Sequence, residues 1–296
     1  MKEKLKSLIL IPSALPSPEF EILLSRAQDL IDKKRKLDIV SCNGSRNNAC
    51  HINPFSDKGI CKICRFYTRK GIKRLSGSYN YIEIPNSNNF IFVNKKILEN
   101  YKFLRKFKYK KTDFGLSVFS SYIAITRDLY LDGVLAKKSI TNLINTSKSF
   151  LDNIIGLNDK KKYNDICVFN GRMSLTRPTV RYFKNKTKVN VLEYSGARAI
   201  SRSKGVFEFI NHLPTDMKNL RKLMLNSWKK RKLKEQIYTK QFFIKKKAGE
   251  LIHDKAVYVK NQDQNLLPFN WDKNQNNIVI FTSSEDEYNT LGGDYE

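Results

Sequence analysis

The sequence has no apolar run approaching the roughly 18 residues that a membrane-crossing helix needs. It has no internal repeat and no G-x-S-x-G, H-E-x-x-H or P-loop signature. These absences exclude a helical membrane protein, a repeat architecture and the enzyme classes those motifs define. Acidic residues are scarce: 28 Asp and Glu stand against 55 Lys and Arg, a formal charge of +27 with a pI near 9.8. Cysteines number five, too few and odd for a disulfide framework. The N-terminal residues 1–12 faintly resemble a signal peptide, but their apolar core is short and stops at Pro12. Hydrophobic residues still reach 41% and aromatics 11%, so a disordered basic tail cannot be the whole protein. The 296 residues correspond to about two domain units.

The positive charge is spread along the chain. One cluster runs from Lys95 to Lys111, a second from Lys229 to Lys234, and a third is Lys245, Lys246 and Lys247. Such clusters are ordinary on solvated faces, and they also attract polyanions, nucleotide phosphates or anionic lipid headgroups.

Leu8 to Ile11 is a short continuous apolar run, the mark of a buried parallel strand. Ser17 and Pro18 open a helix with Glu19 and Glu21 in its first turn. Its inward face is Phe20, Leu23, Leu24, Ala27, Leu30 and Ile31, and Lys33 to Lys36 sit at its C-terminal end. Leu37 to Val40 is the next strand, which starts an α/β sheet. Residues 81–94 read as β-like, and Ile97, Tyr101, Leu104 and Phe107 mark a basic amphipathic helix. A helical stretch covers 117–156 with a break near Gly133. The strand–helix–strand rhythm returns with a strand at Asp165–Phe169, a helix near Thr176 to Pro178, and a strand at Val189–Tyr194. A helix from Thr215 carries the stripe Leu220, Leu223, Met224 and Trp228. A last strand, Asn277–Phe281, precedes a capping box at Ser284 and Glu287.

Cys42, Cys50, Cys61 and Cys64 have the spacing C-x7-C-x10-C-x2-C. Zinc takes four soft ligands in a tetrahedron, and C-x2-C puts two thiolates on one turn. The first pair is wider than usual, and His51 could replace one ligand. The spacing predicts a structural zinc site in a small loop-wrapped insertion, with an iron–sulfur cluster as the alternative. Cys167, in mid-strand, reads as a core residue.

In an open parallel sheet, ligands bind beyond the carboxyl ends of the strands. Asn170, Gly171 and Arg172 form a sharp turn there, with Arg177 one helical turn on, and two guanidiniums suit a phosphate. Glu193 ends the next strand and is the candidate general base or sugar-hydroxyl acceptor. Ser283 to Glu287 follow the last strand.

Three stretches together resemble bacterial capsule and surface-polysaccharide biosynthesis proteins. They are Ile166 to Arg172 with Arg177 and Glu193 following, Cys42 to Cys64 with Asn53 and Pro54, and Leu267 and Pro268 leading to Asn277 to Glu287. Those proteins are glycosyltransferase-like and of the two-Rossmann GT-B type, and the likeness spans nearly the whole chain. It implies an α/β, Rossmann-like parallel sheet with flanking helices, the N-terminal half of a GT-B-like architecture. The expected organisation is a Rossmann-like domain from 1–41 and 67–283, a Cys-rich metal-binding insertion at 42–66, and the start of a second domain at 284–296. It also implies nucleotide-sugar chemistry, a glycan or lipid-linked acceptor, and a cytoplasmic position at the anionic inner membrane face. The second Rossmann half holds the donor in that architecture, so the resemblance leaves three expectations open: a truncated enzyme, a split half whose second domain is on a separate chain, or a degenerate copy. The competing expectation is a nonenzymatic, basic, zinc-containing nucleic-acid-binding protein. It accounts for charge and cysteines but leaves Arg172 and Glu193 idle, and no RNP-type aromatic signature supports it.

Overall fold

The computed structural model describes residues 5–15, 18–45, 48–85, 93–194 and 206–230, with a few isolated positions further on. Six strands form one sheet in the order β3-β2-β1-β4-β5-β6. They are β1 (Lys6–Ile11), β2 (Lys36–Cys42), β3 (Asn80–Ile84), β4 (Asp165–Phe169), β5 (Lys188–Tyr194) and β6 (Val206–Ile210). The first five pair in parallel, and β6 closes the edge antiparallel to β5. The sheet is therefore mixed and mostly parallel, where a wholly parallel one was expected. The described helices are α1 (Pro18–Asp32), α2 (Lys58–Ile72), α3 (Lys95–Glu99), α4 (Tyr101–Lys106), α5 (Phe114–Thr126), α6 (Gly133–Lys161), α7 (Arg177–Phe183) and α8 (Met217–Lys230).

The central strand explains the layering. Leu8, Ile9, Leu10 and Ile11 are all fully buried. Alternate residues of a strand face opposite sides. Leu8 and Leu10 join Ile166, Val168, Val189 and Val191 against Phe150 and Ile154 of α6 and Val180 and Phe183 of α7. Ile9 and Ile11 join Ile39, Cys167, Phe169 and Leu192 against Phe20, Leu23, Ala27 and Leu30 of α1. Burial of each such aliphatic chain contributes about 1.5–3 kcal/mol. A third apolar cluster holds α4, α5 and the first half of α6 together through Leu104, Phe114, Phe119, Ile140 and Leu143.

Several details differ from the sequence reading. The basic run begins directly after α1, which ends at Asp32, with Lys33 N donating to Asp29 O at 3.2 Å, but only its first two residues stay at the helix end. Arg35 instead ion-pairs with Asp165, and Lys36 opens β2. The amphipathic helix of residues 97–107 is two short helices, because Asn100 is extended (φ −144°) and its side chain caps α4 by accepting from Lys102 N. The apolar stripe of α8 faces solvent at Leu223, Met224 and Trp228, while Leu220 packs against the sheet core. Ser17 and the features at 277–287 lie outside the described residues.

Residues 42–66 are the end of β2, a loop, and the first half of α2, which leads on to β3. Glu83 on β3 ties this edge down by ion pairs with Arg65 at 3.0 Å and Arg69 at 2.7 Å. Burial alone would raise the Glu83 carboxyl, but Arg69 and Arg65 outweigh it and hold it down from 4.5 to about 2. A carboxyl depressed on folding contributes stability that is complete above its unfolded value and is lost as pH falls through the folded one. Acid titration followed by unfolding should therefore show a loss between about pH 4.5 and 2 that Glu83→Gln reduces. Equal acid sensitivity in both proteins would refute it.

Candidate functional site

The chain leaves β1 in one direction for β2 and β3, and β4 to β6 lie on its other side. The crevice between the carboxyl ends of β1 and β4 is thus the topological switch point, the place where open α/β sheets take ligands. Two groups of side chains gather along this edge.

The first follows β4. Asn170 (φ 59°) and Gly171 (φ 73°) are both left-handed, so the chain turns sharply. A Cβ on Gly171 would sit 2.7 Å from Leu213 Cδ2, which makes glycine necessary for space as well as for φ. The Asn170 side chain then does two things. Its Nδ2 donates to Glu193 Oε2 at 2.7 Å, and its Oδ1 accepts from Arg172 N at 3.1 Å. Burial pushes the Glu193 carboxyl up, against hydrogen bonds from Tyr194 N and Asn170. Glu19, in the first turn of α1, adds like charge, and Arg172 opposes it. His51 stands within electrostatic reach of both Glu19 and Arg172. Burial lowers its imidazole from 6.5 to about 4, so it is neutral at pH 7, and its Nδ1 has no hydrogen-bond partner among the described residues.

Arg172 and Glu193 are therefore neighbours, as the strand–turn–helix reading predicts. Arg177 is elsewhere. It is 1% exposed and donates from Nε and Nη2 to Asp113 Oδ2 at 2.6 and 2.5 Å, behind the sheet edge where α5 meets α7. The position was right in sequence, but the side chain is directed by Asp113, 64 residues upstream. Glu19 and His51 were missed as members of this group. The switch-point rule could have found Glu19, since it opens the helix after β1. Nothing local marks the direction of His51.

The second group is the cysteines. Cys42 ends β2, Cys50 lies in the loop, and Cys61 and Cys64 are one turn apart on α2. All four line one small pocket, shared with Ile11 and Pro12 at the end of β1. His51 is not among its lining residues. Cys64 Sγ accepts from Ala14 N, and Cys61 Sγ from Asn53 Nδ2, each at 3.2 Å. Backbone hydrogen bonds from Gly44 and Ile52 reach Cys42 and Cys50. The thiols are unbridged. Burial raises all four, Cys42 to about 12. Among the described residues, no three or more His, Cys, Asp or Glu form a ready-made shell for a metal ion. The metal-binding part of the expected fold is therefore not seen in the described residues. Cys167 is fully buried in the core, away from this pocket.

The basic clusters are dispersed. Lys95 to Lys111 spans α3, α4 and the turn after them, Lys229 and Lys230 end α8, and the rest lie largely outside the described residues. A basic groove that the sequence reading did not single out lies on α2, where Lys62, Arg65, Arg69, Lys70 and Lys73 surround Phe66.

The topology is that of a Rossmann-like α/β protein whose switch point falls between β1 and β4. No protein-family model, no curated protein and no solved structure matches the chain. No helix among the described residues is long and apolar enough to cross a membrane.

Proposed function

We propose that this chain is a glycosyltransferase-like protein of surface-polysaccharide assembly, and that its switch-point crevice takes the phosphate- and hydroxyl-bearing end of a glycan or lipid-linked acceptor. One observation carries the reading: Asn170 holds the Glu193 carboxyl beside Arg172 at the carboxyl edge of β4 and β5. A guanidinium recognises phosphate bidentately. A carboxyl pushed upward by burial is suited to accept a sugar hydroxyl's hydrogen bond and then its proton. In this reading Asn170 and Gly171 position those two groups. Arg177 serves the fold, not the ligand.

The protein would work at a cytoplasmic, anionic membrane face. The exposed Ile63, Phe66 and Tyr67 of α2, set among Lys62, Arg69 and Lys70, suit a helix lying in the headgroup layer. The same groove favours a second reading, a single-stranded nucleic-acid binder that stacks a base on Phe66.

Calorimetry with glycosyl phosphates, pyrophosphate and nucleotide sugars tests the first reading. Arg172→Ala should weaken glycosyl-phosphate binding by about 1.5–3 kcal/mol, or roughly 10- to 150-fold, with the melting temperature unchanged. Glu193→Gln should reduce affinity for the sugar and spare pyrophosphate. Binding that is indifferent to both substitutions, or a loss that tracks melting, would sink it. Tighter binding to single-stranded oligonucleotides than to anionic vesicles, lost in Phe66→Ala, would establish the second reading instead.

A further inference from the structure

The thiol pocket is not used by the ligand reading, and it calls for an occupant of its own. We propose that Cys42, Cys50, Cys61 and Cys64 are the four ligands of a soft-metal centre seated beside the switch-point crevice.

Four observations carry this. The thiols come from three separate places, a strand end, a loop and a helix, yet they line a single pocket. Chance burial of cysteines would scatter them, as Cys167 is scattered into the sheet core. Each sulfur then has a nitrogen donor in place: Gly44 for Cys42, Ile52 for Cys50, Asn53 for Cys61 and Ala14 for Cys64. Neutral thiols are weak acceptors, so a full set of N–H donors suits thiolates, and such outer donors orient and tune metal-bound sulfur. The loop is also held from outside. Ala49 N donates to Thr146 Oγ1 at 3.0 Å, and Asn142 Nδ2 to Ser56 Oγ at 3.0 Å, both on α6. Asn53 ties the loop's end to α2 by donating to Asp57 O at 2.8 Å while its Oδ1 accepts from Asp57 N. Finally, Gly44 is left-handed (φ 62°) and its Cα-side space is filled by Cys61, whose Cβ would lie 3.4 Å from an added Cβ. The turn thus brings the Cys42 strand end against the cysteine helix.

The four sulfurs surround the pocket without forming a single-ion shell. An iron–sulfur cluster is likewise held by four cysteine thiolates. A single zinc asks the loop to close on α2. Both are the same chemistry, four thiolates on a soft metal, and the experiment separates them. In either form the centre would clamp β2, its loop and α2 together at the edge where β1 ends. His51, next to Cys50, lies within electrostatic reach of Glu19 and Arg172.

The full chain would be purified anaerobically without chelator, and metal, sulfide and the visible spectrum measured. Iron and sulfide, at about four each per chain, with a brown absorption, identify a cluster; about one zinc in a colourless protein identifies the closed site. Either result supports the centre, provided that Cys61→Ser with Cys64→Ser removes the metal and Cys167→Ala keeps it. Because the double variant can lose its fold, the unaltered protein supplies a second reading. Metal should protect Cys42, Cys50, Cys61 and Cys64 from a thiol reagent and a chelator should release them, while Cys167, fully buried in the sheet core, stays unreactive in both states. The proposal is overturned if the folded protein retains neither metal after purification and anaerobic reconstitution. Thiols that react alike with and without added metal would overturn it too. Neither measurement depends on ligand binding, so its failure leaves the crevice reading untouched.

Discussion

Replacing Asp113 should be among the most damaging single substitutions in the protein. Arg177 is 1% exposed, and a guanidinium cannot shed its charge. Asp113 accepts from Arg177 Nε at 2.6 Å and from Arg181 Nε at 3.3 Å through the same oxygen. Asp113→Ala removes the carboxylate from both guanidiniums, and breaking a buried pair from one side costs roughly 3–5 kcal/mol. Arg177→Ala should cost somewhat less, about 3 kcal/mol, because the Asp113 side chain is 28% exposed and keeps Arg181. Arg177→Met with Asp113→Leu should cost less than Asp113→Ala, since neither charge is then left buried. Denaturant unfolding of the four proteins checks the order. Acid gives an independent readout. Burial would raise the Asp113 carboxyl, but Arg177 and then Arg181 outweigh it and hold it below its usual value. Its contribution is complete above the unfolded value of 3.8 and disappears as pH falls through the folded one. Arg177→Ala should flatten that part of the acid profile. A double variant no better than Asp113→Ala would refute the account.

Gly115→Ala should be comparably severe for a different reason. Gly115 opens α5 where the end of α4 lies across it, and its N donates to Phe107 O at 2.7 Å. An added Cβ would fall 1.8 Å from Leu104 O and 2.8 Å from Phe107 Cβ. The obstacle is a backbone oxygen, so no rotamer relieves it, and α4 must move off α5. Overpacking of this kind costs about 1–3 kcal/mol, more where backbone is forced. The expected loss is about 3 kcal/mol or greater. Gly156→Ala is the control. It lies within α6, and an added Cβ would meet nothing within 4 Å. It should stabilise the helix by about 0.5–1 kcal/mol. Comparable melting of the two variants would show that the contact between α4 and α5 yields easily.

The parts of this fold that sequence could reveal are those where burial is total or the backbone is unusual. β1 and β4 are covered on both faces, so their residues are apolar without alternation, and the strands stand out. The turn at Asn170 and Gly171 needs left-handed residues, and Asn before Gly announces it. β6 was not legible, because Phe207 and Ile210 are exposed and Glu208 sits between hydrophobic residues on an edge. Its Glu208 is explained by Arg26 of α1, 2.9 Å away and 182 residues distant in sequence. In the site, the Arg172–Glu193 neighbourhood follows from adjacent parallel strands, which local pattern can predict. Arg177 could not be placed, since helix position sets where a side chain starts and a distant carboxylate sets where it ends. The gathering of four cysteines depends on the loop's attachments to α6, none of which has a local signature.

The place of β1 in the sheet has a consequence for how the chain reaches this structure. One neighbour of β1 is β2, close behind it, while the other is β4, which begins only at Asp165. Between them the chain must produce α2, β3 and the helices through α6. The helices share local contacts and can assemble early, but the strand at the heart of the molecule keeps one edge open meanwhile. At ordinary rates of synthesis that wait lasts on the order of 10 s. During it, the fully apolar Leu8 to Ile11 offers an unpaired strand to any other nascent chain. A delay in completing the sheet is therefore built into the topology, and expression at lower temperature should raise the yield of correctly folded protein.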